Sequence, residues 1–178
     1  MPARSPSSLR SRLQRVRLFL CDVDGVLTDG AVWMGGGLEL KRFNIRDGLG
    51  LKFLQSEGIP VGWVSRRPSS ATRQRARDLK INYLIQRDGG KVEVVEELLR
   101  KSGLNWRQVC YVGDDVVDVG VLKRAGLGVA VSDAVPEARA AAHYVTRAPG
   151  GDGAVRETVE LILQAQGRWK HVVTRYST

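Results

Sequence analysis

The segment Asp22-Val23-Asp24-Gly25-Val26-Leu27-Thr28 follows the apolar residues 16–20, which only Arg17 interrupts. This order indicates a short buried strand that ends in two carboxylates. Side chains two apart on an extended chain point the same way, with about 7 Å between their Cα atoms. Gly25 then allows a sharp turn and the close approach of a ligand. Because two facing acids repel unless a cation or proton intervenes, the pattern predicts a magnesium site, an anionic substrate and a carboxylate nucleophile.

Short apolar strands alternate with helical stretches along most of the remaining chain. The predicted strands are Leu18–Asp22, Val61–Ser65, Tyr83–Gln86, Val109–Gly113, Gly128–Val131 and Tyr144–Thr146. The predicted helices are Gly48–Ser56, Ser70–Leu79, Lys91–Lys101, Val116–Ala125, Pro136–Ala141 and Ala154–Gln166. This alternation predicts an α/β fold, a Rossmann-like three-layer α/β/α arrangement with a mostly parallel sheet. Ligands of such sheets bind beyond the carboxyl ends of the strands.

Residues 31–43 interrupt the alternation. Ala31–Met34 and Leu38–Phe43 flank the turn Gly35-Gly36-Gly37, which predicts an inserted β-hairpin. Its apolar residues Trp33 and Met34 have little local sequence to bury them, and an isolated hairpin is marginally stable. We therefore expect the hairpin to pair with a neighbouring subunit; the alternative is that it folds flat on its own core.

The net charge of +9 resides almost entirely at the two ends of the chain. Five arginines and no acid lie in residues 1–17, and three basic residues and no acid lie in residues 168–178. We therefore expect a disordered basic leader (1–15), one domain (16–167) and a mobile basic tail (168–178), with no specific recognition of nucleic acid. No apolar run is long enough for a transmembrane helix. Only Cys21 and Cys110 are present, and this usage fits a reducing cytoplasm.

Four features stand at predicted strand ends: Asp22 with Asp24, Ser65, Lys91, and the segment 113–118 (Gly-Asp-Asp-Val-Val-Asp). Together they resemble the haloacid dehalogenase superfamily of phosphohydrolases. Residues 41–50 (Lys-Arg-Phe-Asn-Ile-Arg-Asp-Gly-Leu-Gly) and 150–157 (Gly-Gly-Asp-Gly-Ala-Val-Arg-Glu) narrow the resemblance to its capless (C0) subgroup. The similarity spans about residues 16–167, with the hairpin in place of a cap domain.

The resemblance implies a magnesium-dependent phosphomonoesterase. Asp22 would be the nucleophile that forms an aspartyl-phosphate, and Asp24 the general acid and base. Ser65 would donate to a phosphoryl oxygen, and Lys91 would hold the nucleophile and the phosphate. Magnesium would bind the Asp22 side chain, the Asp24 carbonyl and Asp114. Two further acids, Asp115 and Asp118, would orient metal-bound water without binding the metal themselves.

The resemblance further implies 3-deoxy-D-manno-octulosonate 8-phosphate as the substrate, a precursor of lipopolysaccharide sugar. Guanidinium and ammonium groups suit a substrate with anionic groups at both ends. The implied substrate contacts are Asp24, Asn44, Ile45, Arg46, Asp47, Gly48, Lys52, Arg67, Arg75 and Lys91. Amides near Asp47 and Gly48, at a helix start, would suit an anion. One departure is Arg66, which stands where the family usually has glycine, so Arg66 needs an ordinary backbone conformation or strains the turn.

Capless relatives resemble tetramers whose hairpins assemble and whose neighbouring subunits wall each site, so a homotetramer is implied. The tail from Gly167 to Thr178 could then fold over a neighbour's site. Three alternatives stay open. The first is a phosphatase for a nine-carbon deoxy-nonulosonate 9-phosphate. The second is a non-catalytic oligomerisation module, similar to the C-terminal region of some sialic-acid cytidylyltransferases. The third is a phospho-receiver domain, a hypothesis that agrees poorly with the presence of Asp24 and of the hairpin.

Overall fold

The structure, a computed structural model, describes residues 6–177 and contains a six-stranded parallel sheet. Its strands are β1 (Leu18–Cys21), β4 (Val61–Ser65), β5 (Tyr83–Gln86), β6 (Val109–Gly113), β7 (Leu127–Ala130) and β8 (Tyr144–Val145), and a separate hairpin holds β2 (Trp33–Gly35) and β3 (Leu38–Leu40). The spatial order in the main sheet is β5-β4-β1-β6-β7-β8. The predicted parallel α/β fold is confirmed, and the six predicted strands agree with the structure to within one residue.

The helices form a layer on each side of this sheet. They are α1 (Pro6–Arg15), α2 (Ile45–Ser56), α3 (Ser70–Asp78), α4 (Lys91–Ser102), α5 (Val119–Arg124), α6 (Pro136–Ala141), α7 (Ala154–Ala165) and α8 (Trp169–Arg175), with 3-10 turns at Trp106–Gln108 and Val116–Asp118. In one layer α7 packs against α1, α2 and α8, and in the other α5 packs against α4 and α6. The sheet is therefore covered on both faces, which explains why β1, β4, β6 and β7 are buried along their whole length.

Two predicted helices differ from the observed ones for local reasons. Helix α2 begins at Ile45 rather than Gly48, because the Asn44 side chain accepts hydrogen bonds from the Arg46 and Asp47 amides and caps the helix there. The single helix predicted over Val116–Ala125 is a 3-10 turn followed by α5. Asp115 caps that turn by accepting a hydrogen bond from the Val116 amide.

The strand order places a topological switch beside β1. The chain moves from β1 outward through β4 to β5, and then returns to the other side of β1 to form β6, β7 and β8. In the β1–β6 pair, Cys21 lies opposite Val112, so the loops that follow β1 and β6 leave the sheet at the same edge. A ligand crevice is expected at this position in a doubly wound sheet.

The predicted hairpin is present, although its strands are shorter than expected. Gly36 and Gly37 both have positive φ, 57° and 77°, as a two-residue hairpin turn with the twist of its strands requires. Trp33, Leu38 and Leu40 are each more than 60% exposed. These apolar side chains of the hairpin are therefore not buried against the core of the chain.

The predicted disordered leader and mobile tail need correction within residues 6–177. Residues 6–15 form α1, whose Leu13 is buried, whereas residues 1–5 lie outside the described chain. Residues 169–175 form α8, in which Val172 is buried and Trp169 meets the Phe53 ring edge-on. Residues 169–175 therefore pack on the rest of the chain. No helix in the part of the chain that the structure describes is long and apolar enough to span a membrane.

Candidate active site

Three carboxylates converge at the edge of the sheet where β1 and β6 end. Asp22 directly follows β1, and its amide donates to the Val112 carbonyl at 2.9 Å. Asp114 directly follows β6, and Asp118 lies one turn later. One carboxylate oxygen from each of Asp22, Asp114 and Asp118 lies within 4.8 Å of the others. The structure thus brings together the two acidic turns that the sequence placed at separate strand ends.

Gly25 creates the space that Asp114 occupies. Its φ is +89°, and a Cβ atom at this position would lie 2.1 Å from Asp114 Oδ2. The other oxygen, Asp114 Oδ1, is buried without a hydrogen-bond partner among the described residues. Burial, and then the charges of Asp22 and Asp118, raise the pKa of Asp114 to about 8. A buried carboxylate oxygen without a donor suits a hard divalent cation.

Asp22 is buried and held at both oxygens. Its Oδ1 accepts a hydrogen bond from the Val23 amide at 2.7 Å, and its Oδ2 lies 2.7 Å from Lys91 Nζ. Burial raises the pKa of Asp22 to about 6, with Lys91 opposing this shift and Asp118 adding to it. The carboxylate is therefore fixed in orientation and mostly ionised above neutral pH.

Lys91 supplies the buried positive charge of this cluster. It is the first residue of α4, after the turn Gly89-Gly90, and its Nζ lies 2.7 Å from both Asp22 Oδ2 and Asp118 Oδ1. Burial would lower its pKa, but the two carboxylates outweigh burial and raise the pKa above the ordinary value. The lysine is thus a cation held between the acid that follows β1 and an acid of the β6 turn.

Asp118 organises the turn after β6. It is fully buried, and its Oδ2 accepts hydrogen bonds from the Asp114 and Asp115 amides at 3.1 and 3.3 Å. Its Oδ1 also accepts from the Tyr111 hydroxyl at 2.5 Å. Burial, and then the charge of Asp118, raise the pKa of Tyr111, so the phenol stays a neutral donor. Tyr111 was not predicted as a site residue, because its only signal in the sequence is a hydroxyl on an otherwise apolar strand.

Ser65 and Arg66 lie where β4 ends, at the same edge of the sheet. The buried Ser65 Oγ donates to the Arg67 carbonyl and accepts from the Arg67 amide, both at 3.2 Å. Lys80 is the one non-glycine residue with positive φ between residues 6 and 177, so Arg66 has an ordinary backbone conformation. The exposed Arg66 side chain pairs with Asp88, Nη2 to Oδ1, at 2.6 Å. Arginine therefore replaces glycine here without backbone strain.

Lys41 also lies at the site, although it is not among the predicted site residues. Its Nζ lies 2.5 Å from Asp24 Oδ1 and 3.3 Å from Thr72 Oγ1. The Lys41 side chain is fully buried, whereas that of Asp24 is 26% exposed. Lys41 follows β3, so the hairpin brings this cation to the acidic turn after β1.

Two arginines expected to bind the sugar acid have buried N–H groups without a partner among residues 6–177. Arg67 Nη2 pairs with Glu39 of the hairpin, but Arg67 Nη1 has no acceptor. Arg75 Nε likewise has none. A Cβ atom at position 48 would lie only 2.6 Å from Arg75 Nη2, so glycine at this position leaves room for the guanidinium. Unsatisfied buried donors are costly, and an anionic group would satisfy them.

The backbone amides at the start of α2 already have acceptors within the chain. The Arg46 and Asp47 amides are bound by Asn44 Oδ1, and the Gly48 amide by the Asn44 carbonyl at 3.2 Å. The Asp47 side chain is also turned inward, where it accepts from the Gly153 and Arg156 amides at 3.1 and 2.7 Å. The amides that we expected to suit an anion therefore already have acceptors within the chain, and contact of Asp47 and Gly48 with the substrate stays a prediction.

The remaining predicted contacts lie on the surface or in the helix cap. Asn44 Nδ2 donates to Asp152 Oδ1 at 3.3 Å, so this side chain ties α2 to the loop before α7. Ile45, Arg46 and Lys52 are exposed, and so is Asp115. Their contacts with substrate, and the support of the metal site by Asp115, stay predictions.

The chain is similar to a family of hydrolases and to several known phosphatases. Residues 83–157 match the family of haloacid dehalogenase-like hydrolases. The 3-deoxy-D-manno-octulosonate 8-phosphate phosphatase KdsC of Yersinia pestis is 45% identical over 158 residues, which cover 88% of this chain and 84% of that protein. A crystal structure of a probable YrbI-family phosphatase from Pseudomonas syringae has a TM-score of 0.93 at 42% identity, covering 97% of this chain and 98% of that one.

A third similar protein was crystallised with ligands. It is the 3-deoxy-D-manno-octulosonate 8-phosphate phosphatase of Moraxella catarrhalis in complex with a magnesium ion, a phosphate ion and KDO. It has a TM-score of 0.95 at 34% identity, covering 97% of this chain and all of that chain. The sheet, the paired acidic turns and these likenesses lead to one conclusion: the chain belongs to the haloacid dehalogenase-like hydrolases, in the family of the 3-deoxy-D-manno-octulosonate 8-phosphate phosphatases.

Proposed function

We propose that this protein is a magnesium-dependent phosphomonoesterase that hydrolyses 3-deoxy-D-manno-octulosonate 8-phosphate to the free sugar acid and phosphate. The observation that carries the proposal is the cluster at the end of β1 and β6. There Asp22 is held by Lys91, and Asp114 presents a buried, unpartnered oxygen beside it. The Yersinia pestis relative is named as a phosphatase of this sugar-acid phosphate, and the Moraxella catarrhalis relative was crystallised with magnesium, phosphate and KDO.

The residues present fit Mg²⁺. Asp22 and Asp114 would provide side-chain oxygens, and Asp24 its backbone carbonyl, as the family resemblance implies. This set leaves room for water and phosphate oxygens, which magnesium retains in most protein sites. When bound, the cation neutralises charge on the phosphate and on the facing carboxylates.

The side chains then divide the hydrolysis into two displacements. Asp22 attacks phosphorus and forms an aspartyl-phosphate, while Asp24 gives a proton to the departing sugar oxygen. Asp24 next takes a proton from the water that attacks the same phosphorus and restores Asp22. Lys91 holds the nucleophile and offers a positive charge to the phosphate, and Ser65 donates to a phosphoryl oxygen.

A panel of phosphate esters tests the proposed function directly. The panel contains the eight-carbon sugar-acid 8-phosphate, a nine-carbon deoxy-nonulosonate 9-phosphate, neutral sugar phosphates and an aryl phosphate. We expect the highest kcat/KM for the eight-carbon substrate in the presence of Mg²⁺. Equal kcat/KM values for all esters would contradict the assigned substrate but not the phosphatase reaction. If no ester were hydrolysed, the non-catalytic module would be favoured.

Arg67→Ala is expected to raise KM by roughly 10- to 100-fold with a smaller change in kcat. A hydrogen bond to a charged group contributes about 1.5–3 kcal/mol, and the free Nη1 of Arg67 suits a sugar carboxylate in both the ground and the transition state. Arg66→Ala is the matched control, because Arg66 is exposed and pairs with Asp88. Equal KM values for the two variants would contradict the role of Arg67.

The metal-free protein is expected to lose stability as pH rises from about 4 to about 8. The pKa values of Asp22 and Asp114 are raised from 3.8 to about 6 and about 8, so the native state binds more protons than the unfolded chain over this range. Mg²⁺ at one hundred times its Kd should restore about 2.7 kcal/mol, most clearly at the alkaline end.

Thermal unfolding with a chelator and with excess Mg²⁺ measures both effects. Asp114→Asn is the matched variant, and it should flatten the pH dependence and remove the response to Mg²⁺. Two results would contradict the proposed metal site. One is a melting temperature that rises with pH in the presence of chelator, and the other is a melting temperature of the unaltered protein that does not change when Mg²⁺ is added.

We further infer that the protein is a cytoplasmic homotetramer in which the hairpins of neighbouring subunits assemble. The exposed Trp33, Met34, Leu38 and Leu40 lie together on the hairpin, and such apolar area is unusual on a subunit that stands alone. The two cysteines are free and buried, which suits a reducing compartment. The well-packed α8 does not support the earlier idea that the tail covers a neighbouring site.

The double variant Leu38→Lys with Leu40→Lys is expected to convert the tetramer into smaller species. Charged side chains at both positions would be buried without partners in an assembled hairpin layer. Native mass measurement gives the subunit number, and methionine at the same two positions is the apolar control. An unaltered protein that is already monomeric and fully active would refute the assembly.

A further inference from the structure

Lys41 is the buried cation that the mechanism above does not use. It follows β3, its side chain has no exposed surface, and its Nζ lies between Asp24 Oδ1 at 2.5 Å and Thr72 Oγ1 at 3.3 Å. Glu39 Oε1 is 3.9 Å away. A buried ammonium group needs charged or polar partners, and Asp24 is the closest partner that Lys41 has.

The hairpin strand that carries Lys41 is itself fixed to the body of the subunit. Glu39 of β3 pairs with Arg67 and accepts a hydrogen bond from the Ser69 hydroxyl. Ser69 in turn caps α3, because its Oγ accepts from the Thr72 amide at 3.1 Å. Lys41 is therefore held from two sides: its backbone continues from an anchored strand, and its Nζ meets the first turn of α3.

The contact with Lys41 makes the two oxygens of Asp24 different. Within residues 6–177, the hydrogen bond and the ion pair of the Asp24 side chain are both made by Oδ1 with Lys41 Nζ. The side chain keeps 26% of its surface exposed, so the carboxylate is reachable by a ligand. With Oδ1 occupied, Oδ2 is the oxygen available to a departing or attacking oxygen atom.

We propose that Lys41 is a positioning residue that holds Asp24 in the orientation needed for proton transfer, an inference that rests on the proposed phosphatase function. In the first displacement the Oδ2–H bond of Asp24 breaks, and its proton goes to the ester oxygen. The P–O electron pair stays on that oxygen, which leaves as the sugar hydroxyl, while the Asp22–phosphorus bond forms. Lys41 Nζ then faces the new Asp24 carboxylate.

The test compares Lys41→Met with Lys41→Arg on two substrates. An alkyl phosphate such as the sugar ester has a poor leaving group and needs protonation, whereas p-nitrophenyl phosphate releases a stable anion. Misplacing a proton donor by about 1 Å can cost about 10²-fold, so Lys41→Met should lower kcat on the sugar phosphate by about that factor. The loss on the aryl ester should be much smaller, KM should change little, and Lys41→Arg should recover part of the rate.

A double-mutant comparison connects the effect to Asp24. In an Asp24→Asn background the acid is already absent, so Lys41→Met should add little further loss on the sugar phosphate. Equal losses on both esters, or an undiminished effect of Lys41→Met in the Asp24→Asn background, would overturn the inference. If Lys41→Met does not fold, Lys41→Arg decides, because its loss must again be larger on the sugar ester than on the aryl ester.

The proposed function and this inference fail in different ways. If the unaltered enzyme with Mg²⁺ hydrolyses no phosphate ester, the phosphatase proposal is wrong. If it hydrolyses the sugar phosphate and Lys41→Met retains full activity, only the role of Lys41 is wrong.

Discussion

Asp22→Asn is expected to abolish hydrolysis, with kcat reduced by roughly 10⁴-fold or more, as for the loss of other catalytic nucleophiles. An amide has no charge with which to attack phosphorus, and it cannot form an aspartyl-phosphate. The substitution keeps the size of the side chain, so the effect reports chemistry rather than packing. Phosphate release under saturating substrate and Mg²⁺ measures it.

Asp78→Asn is the matched control for Asp22→Asn. Asp78 is the last residue of α3, it is exposed, and it is not among the residues expected to bind the metal or the substrate. This variant should keep most of the activity. If Asp22→Asn instead retained activity close to that of Asp78→Asn, Asp22 could not be the nucleophile.

Lys91→Met is expected to destabilise the metal-free protein by about 3–5 kcal/mol and to remove activity. The substitution leaves Asp22 and Asp118 buried without the cation that lies 2.7 Å from each, and an uncompensated buried charge has a cost of this order. Activity falls as well, because the nucleophile loses the group that fixes its Oδ2. Urea unfolding gives the free energy, and phosphate release gives the rate.

Two further variants separate these effects of Lys91. Lys101 lies on the same helix as Lys91, but it is exposed and pairs with Glu97. Lys101→Met should therefore change the free energy of unfolding by only about 0–1 kcal/mol. Adding Asp22→Asn to Lys91→Met removes one of the uncompensated charges, keeps an acceptor for the Val23 amide, and should recover part of the lost stability. A Lys91→Met protein as stable as Lys101→Met would show that the buried ion pairs contribute nothing.

The sheet and the residues at its strand ends could be predicted because their signals are local. Short apolar runs that end at Asp22, Ser65 and Asp114 indicate buried parallel strands, and parallel strands deliver their following loops to one edge. Lys91 opens a helix after two glycines, but this local signal alone does not distinguish it from a surface lysine, and its role was implied by the family resemblance. The strand-end predictions need only the neighbours of each residue in the sequence.

Lys41, Tyr111 and Asp47 could not be assigned in this way, because their partners are distant in the sequence or give no local signal. Lys41 is a lysine after a hairpin strand, and only the fold shows that Asp24 and Thr72 meet its Nζ. Asp47 was predicted to contact the substrate, but its side chain accepts hydrogen bonds from the Gly153 and Arg156 amides at the start of α7, more than one hundred residues later. Side-chain pairing across the fold decided these roles.

The terminal helices were missed for a related reason. Charge composition suggested that both ends of the chain lack structure, because runs of basic residues without acids repel one another. In α8 the basic residues instead find a common partner: Arg175 and His171 reach Glu57 Oε1, each at 3.0 Å, and Arg168 reaches the Glu57 carbonyl at 2.7 Å. A single acid at the end of α2 thus helps to hold the tail.

The most direct measurement is the stereochemical course at phosphorus, followed with a substrate whose phosphoryl group is made chiral by oxygen isotopes. Two successive in-line displacements, first by Asp22 and then by water, each invert phosphorus and together predict retention of configuration. Inversion would show that water attacks the substrate directly, and it would contradict Asp22 as the nucleophile.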